Sequence, residues 1–273
     1  NARSCREELA RTLEFLDEPG TRFRYSGGGF MILQVALEDA TGKAFNALME
    51  EDILRPLGMH ASTFEPYREP YAARMARGHL RDGAPVPWRQ TPGLAAAWLH
   101  TTPSDLARFM IAVYRASRLG ETHVISPRTA RMMLTPTGAA EGRYGAYTSL
   151  GFFLADTPAG RVVFHRGTNR GYQCGMWIFP ASGDGLVVMT NSARGEELCT
   201  AACRAVFPDA EAGNITGWQA RLVDFNNRTP FQPIWQFEHS VSCILFVEMQ
   251  KLLTEYPALP VSPVSSYGDS HVQ

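Results

Sequence analysis

Lysine is almost missing from this sequence. Only Lys43 and Lys251 occur, so arginine supplies 24 of the 26 basic side chains. Excess positive charge is missing as well. The 26 basic and 27 acidic residues leave a net charge of -1. That balance lacks the basic footprint of a nucleic-acid binder. No apolar run approaches the ~18 residues of a membrane span, and the patch at Ile244 to Val247 is far too short. Five cysteines stand at 5, 174, 199, 203 and 243, with no C-x-x-C spacing. An odd, scattered set is a poor disulfide framework, and Cys199 with Cys203 offers too few ligands for zinc. The cysteines therefore read as small apolar residues. The chain starts at Asn1 without a basic n-region or signal-type apolar segment. This start carries the expectation of an incomplete or processed chain.

Common catalytic signatures are also absent. There is no G-x-S-x-G elbow, no H-E-x-x-H, no Walker A sequence and no G-x-G-x-x-G. What remains is an ordinary globular composition, 45% apolar and 19% charged over 273 residues. The spacing predicts helices over 5–16, 30–40, 44–54 and 196–206. Gly27, Gly28 and Gly29 predict a sharp bend or close approach after Tyr25. Thr102-Pro103-Ser104-Asp105 has the form of a capping box, and Ser126-Pro127 opens a further helix. Residues 61–97, rich in Pro, Gly and Arg, predict a long loop of the functional kind. After about Gly145 the pattern turns to short β-rich runs at 150–154, 161–165, 172–179 and 186–190. Helices first and strands last predict an α+β architecture with an antiparallel sheet. Residues 211–273 differ, with five prolines, six acidic and three basic residues. They predict an atypical tail.

Several segments carry a resemblance together. Pro19-Gly20-Thr21-Arg22-Phe23-Arg24-Tyr25-Ser26-Gly27-Gly28-Gly29-Phe30 comes first. Thr41-Gly42-Lys43-Ala44-Phe45, Pro56-Leu57-Gly58-Met59 and the segment 95–109 follow. Phe164-His165-Arg166-Gly167-Thr168-Asn169-Arg170-Gly171 and Val188-Met189-Thr190-Asn191-Ser192 close the series. In that order, over about 15–207, the set resembles serine hydrolases of the class C β-lactamase and DD-peptidase superfamily, which includes esterases. The resemblance implies a β-lactamase/transpeptidase-like fold, with a domain over 1–210 that is helical to about 140 and sheet-forming from about 145 to 210. It also implies an acyl-enzyme mechanism with no cofactor and no metal. The partner is then a small acyl substrate, an ester, amide or lactam. A periplasmic or secreted location is the matching expectation.

The resemblance assigns roles residue by residue. Tyr25 is the proton relay, in line with the rule that a phenol of pKa ~10 acts as a base at neutral pH only beside positive charge. His165 stands in an H-x-G variant of K-T-G and supports the site electrostatically. Gly167 leaves room for substrate backbone, the Thr168 N–H completes an oxyanion hole, and Asn169 meets the acyl side. Two departures shape the reading. No Ser lies three positions before a Lys, since Ala40 and Glu248 precede Lys43 and Lys251. The expected S-x-x-K nucleophile therefore belongs upstream of Asn1, which makes this chain an N-terminally truncated, inactive piece. Gly27 replaces the Asn of the tyrosine motif, which leans the reading from penicillins toward esters or other acyl groups. The competing reading is a catalytically inactive scaffold or binding protein that keeps the cleft. A sheet lacking its N-terminal strands is also expected to self-associate through an exposed edge.

Overall fold

Capping chemistry sets the helix starts. In a computed structural model, which describes residues 4–207 except 15, 19, 22, 88–90, 122–123 and 140–146, each longer helix of the N-terminal part begins behind a hydroxyl. Ser4 caps α1 (Cys5–Thr12), Ser26 caps α2 (Gly27–Thr41), Thr102 caps α5 (Pro103–Leu119) and Ser126 caps α6 (Pro127–Leu134). In each case the hydroxyl accepts a backbone N–H of the first turn, which would otherwise lack a partner. The three glycines after Tyr25 are thus not a bend. They form the first turn of α2, with the Gly29 N–H donated to Ser26 Oγ. Gly42 ends α2 in the left-handed region at φ 67°, as its position predicts.

The helix expected over 44–54 is present in altered form. Phe45–Met49 (α3) is α-helical, and Glu50–Leu54 continues as a wider π turn. The apolar spacing explains the change. Leu48 and Ile53, like Met49 and Leu54, stand five apart, roughly 140° around an α-helix. A wider turn brings such pairs toward one face, and all four are buried. The short α4 (Leu94–Ala97) completes the helices before the sheet.

The sheet is an antiparallel meander in the order β1-β2-β3-β4-β5-β6. Its strands are β1 (Gly138–Ala139), β2 (Tyr147–Thr148), β3 (Phe153–Thr157), β4 (Gly160–Asn169), β5 (Tyr172–Ile178) and β6 (Gly185–Thr190). Helix α7 (Gly195–Val206) follows. Strand alternation splits the core in two. Leu154, Val163, Met176 and Ile178 pack with the helices α2 to α6, among them Phe45, Leu106 and Phe109. Phe153, Val162, Phe164 and Trp177 face Cys199 and Cys203 of α7. The cysteines at 5, 199 and 203 are buried free thiols, and Cys174 is half-buried. The tail expected at 211–273, with Cys243, lies outside the described residues.

The capping box at α5 closes only halfway. Thr102 Oγ1 accepts the Asp105 N–H, but the Asp105 carboxylate turns inward. It accepts from Ala61 N–H and Ser62 Oγ–H, both at 2.8 Å, and from Arg108 at 2.6 Å. Asp105 is 2% exposed and ties the start of the 61–97 segment to α5. Replacing it by Ala leaves the half-buried Ala61 N–H without this partner and removes one of the two partners of the buried Ser62 hydroxyl, whose other is Thr101 Oγ1. The expected cost is about 2 kcal/mol. Arg108→Ala, at an exposed guanidinium, should cost about 1 kcal/mol or less. Urea unfolding of both variants checks the ranking.

Candidate active-site cleft

Much of the long irregular segment after α3 closes on itself in turns, such as Tyr71 N–H to Arg68 O and Leu80 N–H to Ala84 O. Other backbone groups bond further away, on the ends of β4, β5 and β6. The His79 N–H lies 2.9 Å from Asn191 O and 3.3 Å from Gly171 O, and Ala193 N–H returns to His79 O at 2.8 Å. Asn191 Nδ2 donates to Arg77 O, and the Tyr172 hydroxyl donates to Ala76 O. Asn169 Nδ2 donates to Ala97 O at 3.0 Å. On the helical side, Gln34 of α2 donates to Pro92 O and accepts the Ala95 N–H. The segment becomes a roof over a cleft of about 530 Å³. Gly171 sits at a tight point between roof and sheet. With φ 81°, its missing Cβ would meet Val86 at 2.5 Å.

The five residues expected from sequence divide in two. Gly167 and Asn169 line the cleft, with Gly27 and Gly28 on the opposite wall. Tyr25, His165 and Thr168 do not line it. Tyr25 and His165 nevertheless meet at one ring. Tyr25 stacks on Phe153 at 6.1 Å between centroids, and His165 lies 5.5 Å from the same ring. His165 is buried. Thr168 Oγ1 donates to Gln173 Oε1 at 2.8 Å across the β4–β5 ladder. The β3–β4 register stops at Phe153 opposite Phe164. Residues 165–169 of β4 therefore run on past the end of β3.

Sequence reasoning singled out the 61–97 loop but no residue within it. The structure puts Tyr67, Tyr71, Trp98 and His100 on the cleft, together with Tyr172 and Asn191 from the sheet. The loop's lack of periodicity gave no signal for Tyr67 and Tyr71, whereas Trp98 and His100 lie beyond it, inside the quoted 95–109 segment. Asn191 stood inside the quoted Val188–Ser192 stretch and could have been found there.

Burial sets the protonation of the ring and thiol groups. It holds His100 below the ordinary histidine range, opposed by the bond between its Nδ1 and Trp98 O. His100 is therefore neutral at pH 7. Burial also pushes the Cys174 thiol up to about 12, so this cleft residue is no thiolate nucleophile. Behind β4, Arg166 is buried, and its guanidinium lies 5.5 Å from the Trp177 ring centre. Glu196 of α7 lies nearby, 8% exposed. Among the described residues no group of three His, Cys, Asp or Glu side chains is placed to hold a metal ion.

Comparison with known proteins fits this geometry. The family model described as Beta-lactamase matches residues 6–205. The D-alanyl-D-alanine-carboxypeptidase/endopeptidase AmpH of Escherichia coli (strain K12) is 32% identical over 108 residues, which are 40% of this chain and 27% of that protein. A D-aminopeptidase of Brucella anthropi is 27% identical over 165 residues, 58% of this chain and 29% of that protein. The chain thus spans less than a third of the length of these two relatives. A D-amino acid amidase from Ochrobactrum anthropi SV3, solved with D-phenylalanine, superposes with a TM-score of 0.62 at 21% identity. That match covers 78% of this chain and 69% of the amidase.

Glu196 generates a pH prediction. Burial pushes its carboxyl up to about 7 from 4.5, against the opposing pull of Arg166 and Arg81. Between those values the folded state keeps a proton that the unfolded state has lost. Stability therefore falls as pH rises from about 4.5 to about 7. Below that window both states are protonated, and above it both are ionised. Glu196→Gln removes this slope. Urea midpoints across the window should show the variant gaining on the wild type as pH rises. A constant difference would show that the folded carboxyl titrates normally.

Proposed function

We propose that this chain, which belongs to the beta-lactamase family, carries the tyrosine and histidine side of a serine acyl-transfer site. The observation that supports this is the shared ring. Tyr25 and His165 lie 140 residues apart in sequence, yet both pack on Phe153. Gly27 and Gly167, each two residues further along, line one cleft. The reaction is acyl transfer in two steps. A serine Oγ attacks the acyl carbon and Tyr25 takes its proton. The ester or amide bond breaks, the alcohol or amine leaves with the proton returned by Tyr25, and water then hydrolyses the acyl-enzyme to the free acid and the serine. His165 supports the developing charges, and the Thr168 N–H meets the oxyanion. Asn169, held to Ala97 O, borders the acyl group. The serine and its lysine come from an S-x-x-K sequence outside these 273 residues, and the substrate is an ester or other acyl compound.

This reading sets activity expectations. The 273-residue chain alone should leave p-nitrophenyl esters at background, because it offers no activated nucleophile. In a protein that includes the S-x-x-K segment, Tyr25→Phe should fold normally and lower kcat by about 10² or more. His165→Ala should lower it less. Thr168→Ala should be nearly silent and Thr168→Pro severe, since only the N–H is used. Steady-state kinetics on the four variants decide the matter. Near wild-type kcat in Tyr25→Phe would sink the mechanism.

The sheet supports a second expectation. Among the described residues β6 pairs only with β5, so one edge of the ladder offers free backbone groups. Such edges recruit further strands. The chain alone should self-associate through β6, with a sedimentation mass that climbs with concentration. A constant monomer mass would overturn this.

A further inference from the structure

The cleft has a one-sided inventory of charge. Among the described residues that line it, none is aspartate or glutamate, while Arg74 and Arg170 both do. Neither arginine forms an ion pair with a described residue, unlike Arg68, which binds Glu50. Arg74 is exposed and Arg170 half-exposed, so neither side chain is shut away from an arriving ligand. His100 adds no cation, because burial keeps it neutral. The remaining lining is dominated by flat rings. Tyr67, Tyr71, Trp98 and Tyr172 share the cavity, with Tyr67 and Tyr71 on the roof, Trp98 at the end of α4 and Tyr172 on the sheet. The Tyr172 hydroxyl is committed to Ala76 O, and Trp98 packs edge-on against His100 at 5.0 Å. These bonds hold the rings in place as ready-made apolar surface. A volume of about 530 Å³ suits a ligand of modest size.

We propose that the cleft selects acyl compounds that carry an aromatic ring and an anionic group, with the ring among Tyr67, Tyr71, Trp98 and Tyr172 and the anion facing Arg74 and Arg170. Burying a ring against rings supplies affinity through apolar area and favourable ring geometry. Arginine supplies charge-assisted bonds to a carboxylate. The same arginines, with no carboxylate to offset them, work against a cationic ligand. Discrimination then comes from repulsion as well as attraction. Calling the ligand a substrate rests on the acyl-transfer reading; the ring and charge preference does not.

Calorimetric titration of the 273-residue chain tests the preference with three probes: 3-phenylpropionate, 3-phenylpropylamine and propionate. The first should bind about tenfold more tightly than either of the others. The double variant Arg74→Gln, Arg170→Gln should bring the carboxylate down to the level of the amine. Neither side chain is buried, so folding should be unaffected, and circular dichroism checks it. Tyr71→Leu should weaken both phenyl probes by a similar factor and leave propionate alone. Equal binding of amine and carboxylate, or a ratio unchanged in the double variant, overturns the proposal. Measurable binding needs no turnover, so the outcomes separate. A chain that binds phenylpropionate selectively, in a complete protein that fails to hydrolyse esters, sinks the catalytic reading alone. Ester hydrolysis without the selectivity sinks this one.

Discussion

The His79 backbone joins the irregular half of this protein to the regular half. Its N–H points at Asn191 O and Gly171 O, and its C=O accepts from Ala193. Residues 61–97 would otherwise carry many polar backbone groups with no ladder to join, and buried groups of that kind are costly. By bonding across the ends of β4, β5 and β6, the segment acquires the order of the sheet without its regularity. The cleft is a consequence. The roof meets the sheet at the strand ends and α5 at Asp105, and the space between those attachments is left open.

Alternation along β4 then decides what each side chain can do. Val163, His165, Gly167 and Asn169 fall on the face toward α2 to α6, and Val162, Phe164, Arg166 and Thr168 on the face toward α7. Gly167 and Asn169 thereby reach the cleft, while Arg166 is buried behind the sheet beside Trp177. The glycine at 175 belongs to the same arrangement. A Cβ there would meet the Trp177 indole at 2.2 Å. A slip of one residue in β4 would put Arg166 toward the helical core and His165 against α7. The buried cation thus helps to hold the register on which the cleft wall depends.

The sequence made the regular elements legible because their signals are local. Thr102 with Pro103, Ser126 with Pro127 and the glycine at 42 mark helix ends by chemistry that needs no tertiary context. The four β-rich runs appear as β3 to β6 with boundaries shifted by a few residues. Non-local demands were less visible. The glycines at 27–29 read as a bend because glycine is a poor helix former, although the Ser26 cap that starts α2 there is as local as those at Thr102 and Ser126. The wide turn at 50–54 is set by where the core lies. The cleft rings at Tyr67 and Tyr71 carry no period, because they sit in turns of an irregular segment that reaches the strand ends through His79, about a hundred residues away in sequence. Phe153, the ring between Tyr25 and His165, read only as one apolar residue of a strand.

The protonation states give the cleft its character. Burial removes the negative option from Cys174 and the positive option from His100. The Tyr172 phenol is also pushed up by burial and stays a donor to Ala76 O. With no lining carboxylate among the described residues, Arg74 and Arg170 are the permanent charges there. A site built this way is electropositive without depending on the pH of its surroundings near neutrality. Positive potential stabilises an arriving anion and any phenolate or alkoxide formed nearby. In the proposed reading the same arrangement serves recognition and chemistry. A carboxylate introduced into the lining would oppose both at once, though not at Asn191, whose Nδ2–H bond to Arg77 O helps to hold the roof.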